Sequence, residues 1–154
     1  MPRFGVVNVR PARASECSRL TAIAHAAKRH WAYPEEWIAL WKEDLTYTPA
    51  RFESEEILVA EVDGDIAGVV SIRCEGGDAE LESLWVDPAW IGRGIGRALL
   101  ERAESRARAV GASRMTIVAD PNAIGFYERA GARQVGWIES TPPGRLLPRL
   151  TLPL

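Results

Sequence analysis

The chain has 154 residues, 47% of them hydrophobic and 26% charged, with a formal net charge of −2. Such a length serves most simply as one domain able to bury a core without metal or disulfide staples, and the mildly acidic balance offers no basic stripe to grip nucleic acid. Cys17 and Cys74 lack metal-ligand spacing and read as buried thiols of a cytoplasmic protein; no apolar run approaches the roughly twenty residues of a membrane span, the first residues lack a signal-peptide pattern, and neither a metal site nor a membrane contact is expected.

Residues 4–9, with three β-branched valines, predict an opening strand, ended by Pro11. Over residues 15–28, Cys17, Leu20, Ile23, Ala24 and Ala27 recur at helical spacing and predict an amphipathic helix. A second helix is expected from Pro34, which suits a first helical position, through Trp37 and Trp41. Strands at 57–62 and 66–73 flank Asp63-Gly64-Asp65, a hairpin signal. A strand at 79–86, a helix at 94–110 stopped by Gly111, and a strand at 115–119 follow. Asp120 and Pro121 supply an N-cap and a first-turn proline for a short helix to Ala130, closed by Gly131, and strands near 134–139 and 146–152 complete the chain. The order β-α-α-β-β-β-α-β-α-β-β implies an α/β (α+β) fold, a mixed sheet with helices on both faces.

The stretch with most chemical content is residues 84–100, a strand running through a glycine-dense turn straight into a helix. Gly92, Gly94 and Gly96 let a ligand approach the main chain, and the free N–H groups of the first helical turn favour a phosphate or pyrophosphate, flanked here by Arg93 and Arg97. A dinucleotide fingerprint needs glycine where Arg97 stands, and a P-loop needs Gly-Lys-Ser/Thr, which is absent. The run Ile91-Gly92-Arg93-Gly94-Ile95-Gly96 resembles the acetyl-CoA pyrophosphate loop of the GCN5-related N-acetyltransferases, Q/R-x-x-G-x-G/A, with Ile91 where that family usually has Gln or Arg. Residues 123–131 are similar to the family's A-x-x-F-Y-x-x-x-G helix, and the element order also agrees over residues 4–139.

The resemblance implies a mostly antiparallel sheet of about seven strands, the fourth and fifth splayed so that the pantetheine arm of acetyl-CoA slots between them. Backbone groups of Leu84, Trp85 and Val86 would then meet the arm while residues 92–97, Ile95 included, hold the pyrophosphate. Glu80 and Glu82 lie two apart on a strand, share a face, and stand where family members carry a general base; partial burial of two repelling carboxylates raises the pKa of one. Either could be that base, and a solvated strand face remains the alternative. Tyr127 corresponds to the phenol that protonates the leaving thiolate. Asp120 replaces the family's usual Asn and reads as a pantetheine contact or a helix cap, with Asn122 as a substitute contact. The oxyanion would meet a backbone N–H where the fourth strand bulges, expected at Val86.

His30, Trp31, Tyr33, Trp37 and Trp41 are candidates for one wall of an amine-acceptor pocket, or simply cover the sheet, and Glu35, Glu36, Glu43 and Asp44 would favour a cationic acceptor. The proline-rich residues 141–150 resemble a loop that closes over the acceptor site. The resulting expectation is an acetyl-CoA-dependent N-acetyltransferase acting on a small primary amine. The alternatives are a protein lysine or N-terminal acetyltransferase and a non-catalytic acyl-CoA-binding module; a homodimer through the late strands is a further possibility that the resemblance brings.

Overall fold

A computed structural model describes residues 5–154. The expected opening strand falls partly outside that range. Within it, β1 occupies Asn8–Pro11, so the strand ends at Pro11, which is still paired with Leu58. Among the described residues only β2 neighbours β1, so the proline's missing N–H faces no second ladder there. Helix α1 spans Cys17–His30, preceded by a 3-10 turn at Ala14–Glu16, and buries Leu20, Ile23, Ala24, Ala27 and Lys28 on one stripe.

The second helix, α2, is Glu35–Leu40: Pro34 is its extended cap rather than its first residue, and the helix stops before Trp41. Two further short helices, α3 at Lys42–Leu45 and α4 at Arg51–Ser54, stand where no element was predicted, being too short to show a periodicity. The hairpin of β2 (Glu56–Val62) and β3 (Asp65–Glu75) turns on Asp63 and Gly64, with φ of 52° and 86°. Two consecutive left-handed residues match the right-handed twist of the flanking strands. Then come β4 (Asp78–Val86), α5 (Ile95–Ala109), β5 (Arg114–Val118), α6 (Ile124–Arg129), β6 (Arg133–Glu139) and β7 (Leu146–Pro153).

The seven strands form one sheet in the order β1-β2-β3-β4-β5-β7-β6, antiparallel throughout except for the β4–β5 pair. One face packs α5 through Val70, Ile72, Leu99, Leu100 and Ala103; the other packs α1 to α3 through Val59, Val69, Leu20, Ile38 and Leu45. The edge strand β6 exposes Val135, Trp137 and Ile138.

Gly68 on β3 sets how closely α5 approaches the sheet. A Cβ there would lie 2.9 Å from Ile95 Cγ2, from Leu99 Cδ1 and from the Trp85 carbonyl oxygen. Gly68→Ala is therefore expected to lower stability by about 1–3 kcal/mol, read as a lower urea midpoint with unchanged slope.

Candidate active site

Strands β4 and β5 stay in register only from Asp78↔Arg114 to Leu81↔Ile117. Beyond that point β4 continues to Val86 with no strand partner on its β5 side among the described residues, and a cleft of about 1010 Å³ opens in the gap. The Asp87 N–H donates to the Ala67 carbonyl at 2.9 Å, which sets the alternation of the ladder. Trp85 consequently turns its main chain toward β3 and lines the cleft by its side chain, whereas Leu84 and Val86 turn their N–H and C=O groups to the open side. Of the three expected backbone contacts, Leu84 and Val86 have the required direction.

At the mouth of this gap Gly92 and Gly94 adopt φ of 82° and 77°, and Gly94 is the left-handed N-cap of α5. A Cβ at either would meet open space, so the need for glycine is conformational. The unpaired N–H groups of Ile95, Gly96 and Arg97 begin a helix of fifteen residues, whose dipole adds to their attraction for an anion. Gly96 also admits α6, since its Cβ would lie 3.3 Å from the Phe126 ring. Arg97 pairs with Glu101 at 3.0 Å on the surface, the Arg93 guanidinium lies 5.0 Å from the Trp90 ring centroid, and Ile91 is half exposed. This cradle and the unpaired β4 edge fit a pyrophosphate with an extended amide-bearing arm.

The β4 bulge lies at Glu82, not at Val86: Ser83 pairs with Ser71 and Leu81 with Ile72, leaving Glu82 as the extra residue, while Val86 stays in register with Gly68. Glu80 is the cross-strand partner of Arg73, and Arg73 Nε lies 3.7 Å from Glu82. The two glutamates nonetheless separate in their outlook. Glu82 lines the cleft, whereas Glu80 lines a separate, smaller recess with Arg73, Glu75 and Asp78. Partial burial, with the negative charges of Glu55 and Glu80, holds the Glu82 carboxyl above the ordinary glutamate range against the opposing pull of Arg73.

Behind Glu82 runs a buried hydroxyl chain that sequence reading did not find. The Tyr47 hydroxyl lies 2.5 Å from Ser83 Oγ, which lies 2.6 Å from Ser71 Oγ, and burial pushes the Tyr47 phenol up to about 12. Tyr127, on α6, lines the opposite wall and is 5% exposed. Burial and the Asp120 charge raise its phenol well above the ordinary tyrosine value, so it holds its proton.

A second missed constellation closes the α1 end of the cleft. Lys28 Nζ donates to Asp120 Oδ2 at 2.8 Å and lies 4.5 Å from the Trp41 ring centroid and 5.5 Å from that of Trp85. Arg145 Nη2 donates to the Tyr33 hydroxyl at 3.2 Å, with its guanidinium 4.6 Å from the Trp41 ring centroid. Asp120 does cap the 3-10 turn at Pro121–Ala123 by accepting from the Asn122 N–H, but it also accepts from Lys28 and Tyr33. Burial opposes its charge; the hydrogen bonds from Lys28, Asn122 and Tyr33 outweigh that and keep its carboxyl below the ordinary value. The Asn122 amide donates to Asp120 Oδ1 at 2.9 Å and to the Tyr33 hydroxyl at 3.2 Å, on the cleft wall.

The expected aromatic wall divides. Trp31 and Trp41 line the cleft with His30, while Tyr33, Trp37 and Trp41 interlock with centroids 5.1–6.2 Å apart. Of the four acidic residues expected to draw a cation, only Asp44 lines the cleft, and Glu35 instead pairs with Arg29 outside it. The signal that pointed to Lys28 was available: it falls four residues after Ala24, on the apolar stripe of α1.

A mixed sheet split between two parallel strands, with a glycine cradle at the split and titratable groups along the cleft, defines an α/β architecture. The chain belongs to the acetyltransferase (GNAT) family, whose model matches residues 20–132. Blasticidin-S acetyltransferase of Streptomyces morookaense is 36% identical over 85 residues, 53% of this chain; the chain spans 61% of that protein's length. The crystal structure of a GCN5-related N-acetyltransferase, designated aminotransferase, class-II, from Rhodopseudomonas palustris superposes with a TM-score of 0.84 at 25% identity, covering 100% of this chain and 99% of that one. PaiA N-acetyltransferase of Thermoplasma acidophilum, solved with coenzyme A, shares the fold with a TM-score of 0.73 at 18% identity, over 97% of this chain and 99% of its own.

Proposed function

We propose that the protein is an acetyl-CoA-dependent N-acetyltransferase that acetylates a primary amine of a small molecule by direct attack in a ternary complex. The observation that carries this reading is that the glycine cradle, the unpaired edge of β4, Glu82 and Tyr127 all line one cleft. Acetyl-CoA, when bound, supplies an acyl group activated as a thioester. Residues 92–97 would hold its pyrophosphate, Leu84 and Val86 its arm, with Trp85 and Asn122 beside them on the wall. As the new C–N bond forms and the C–S bond breaks, Glu82 takes the proton released by the amine and Tyr127 gives one to the departing sulfur.

Glu82 is the base in this scheme and Glu80 a modulator of its charge. Glu82→Gln is expected to lower kcat/KM by about 100-fold and to remove the acidic limb of its pH profile, which in the parent lies above the ordinary glutamate value of about 4.3. Activity in the parent falls as pH drops through that limb, because protonated Glu82 cannot accept a proton. Glu80→Gln should leave the rate within about threefold and move the limb downward, since it removes one neighbouring negative charge. Thiol release from acetyl-CoA, measured against pH for both variants, checks the assignment; the reverse ranking would transfer the role to Glu80.

Binding of acetyl-CoA without turnover of any amine would favour the non-catalytic acyl-CoA-binding reading, and turnover of lysine peptides alone would favour a protein acceptor. A cytoplasmic setting accords with the free thiols of Cys17 and Cys74, and no helix among the described residues is long and apolar enough to cross a membrane. The exposed Val135, Trp137 and Ile138 on edge strand β6 support pairing of two copies through the late strands.

A further inference from the structure

We infer that the acceptor is an amine that also carries a carboxylate, an amino acid or a close analogue, and that Lys28 and Arg145 form its carboxylate subsite. The inference rests on the acetyltransferase reading of the same cleft. Lys28 and Arg145 bring two positive charges and Asp120 one negative, which leaves one positive charge over at a site where only 10%, 12% and 13% of the three side chains is exposed. Such an imbalance is costly in an aromatic surrounding unless an anion completes it.

The unused donors point the same way. Arg145 carries five N–H groups, and among the described residues one hydrogen bond engages them, to the Tyr33 hydroxyl. Lys28 carries three, of which Asp120 takes one while the rings of Tyr33, Trp41 and Trp85 surround the remainder. The planar fork of Arg145 suits a carboxylate, and the flanking rings keep water from competing for it.

Location separates this subsite from the cofactor's phosphates. Trp85 and Trp41 pack with the core on the α1 side of the sheet, so the pair lies on that side, whereas the glycine cradle opens at the start of α5, which packs the other face. The α1 side is also where Glu82 and Asp44 line the cleft and offer negative charge to an ammonium group. Cations at one end and carboxylates beside them match a zwitterion rather than a simple polyamine.

Matched acceptors that differ only in the carboxylate test this: tyrosine against tyramine, tryptophan against tryptamine, lysine against cadaverine, arginine against agmatine. In any pair that reacts, the carboxylate member is expected to have a kcat/KM at least about tenfold higher, because its absence leaves the cationic donors unpaired. Arg145→Met should reduce that preference to about twofold or less by raising KM with kcat largely kept, and Arg145→Lys should restore part of it. Equal or better turnover of the decarboxylated members would overturn the subsite and leave the acetyltransferase reading standing.

Calorimetric titration of N-acetyltyrosine against N-acetyltyramine into the CoA-loaded protein provides a readout that needs no turnover. If no acceptor reacts, the small-molecule amine reading fails. In that case carboxylate-dependent binding that Arg145→Met abolishes still supports the subsite, and equal or undetectable binding of both compounds overturns it.

Discussion

Tyr127→Phe is expected to lower kcat by about 100-fold while the dissociation constant for acetyl-CoA stays within about twofold. The side chain is 5% exposed on α6, lines the cleft, and stacks edge-on against Phe126 with centroids 5.0 Å apart. Removing only the hydroxyl preserves that packing, so the loss falls on proton delivery rather than on the fold. Because burial and Asp120 raise the phenol, the alkaline limb of kcat in the parent lies above the ordinary tyrosine value of about 10. Single-turnover rates for the two proteins, with calorimetry of acetyl-CoA binding, check both statements. A variant that turns over like the parent would strip Tyr127 of the role.

Asp120→Ala is expected to destabilise the protein by about 3–5 kcal/mol, the loss typical when one member of a buried ion pair is removed. Its partner Lys28 is 8% exposed and would remain charged among the rings of Tyr33, Trp41 and Trp85 without a counter-ion. Burial already lowers the Lys28 ammonium below the ordinary lysine value, and losing the Asp120 hydrogen bond lowers it further. A lysine whose folded pKa is depressed binds fewer protons in the native state, so stability rises with pH between the folded and unfolded values. The deficit of the variant therefore narrows as pH approaches about 10, the ordinary lysine value. At the acid end the parent loses the Asp120 contribution as pH falls through its lowered pKa, and the two proteins converge. Asp120→Asn keeps the cap but not the charge and should fall between them. Urea unfolding at several pH values measures the whole series.

The fold was readable because each strong local signal had one physical solution. Asp63-Gly64 could close only a tight hairpin, and Gly94 before an amphipathic run could only begin a helix in a left-handed turn. What the letters concealed depends on registers and on long-range meetings. The bulge at Glu82 arises because Ser83, not Glu82, stands opposite Ser71, and no local pattern marks it. That bulge separates two glutamates that period-two counting treats alike. Lys28 and Asp120 are 92 positions apart, and Arg145 reaches Tyr33 across 112, so the charged cup exists only after the sheet has assembled. Asp120 in place of the family's usual Asn reads as a pantetheine contact or a helix cap; beside Lys28 it is also a counter-ion.

Among the described residues, the four pairs that join β4 to β5 are the sole ladder between the β1–β4 half of the sheet and the β5–β7–β6 half. Mechanically the molecule is two plates joined by a short seam, with α5 lying across one side. Any ligand that spans the open end of the seam lengthens it, and its binding energy becomes resistance to separation of the plates, growing with the logarithm of ligand concentration above the dissociation constant. A ligand in the cleft thereby stabilises the whole sheet, from β1 to β6, against unfolding.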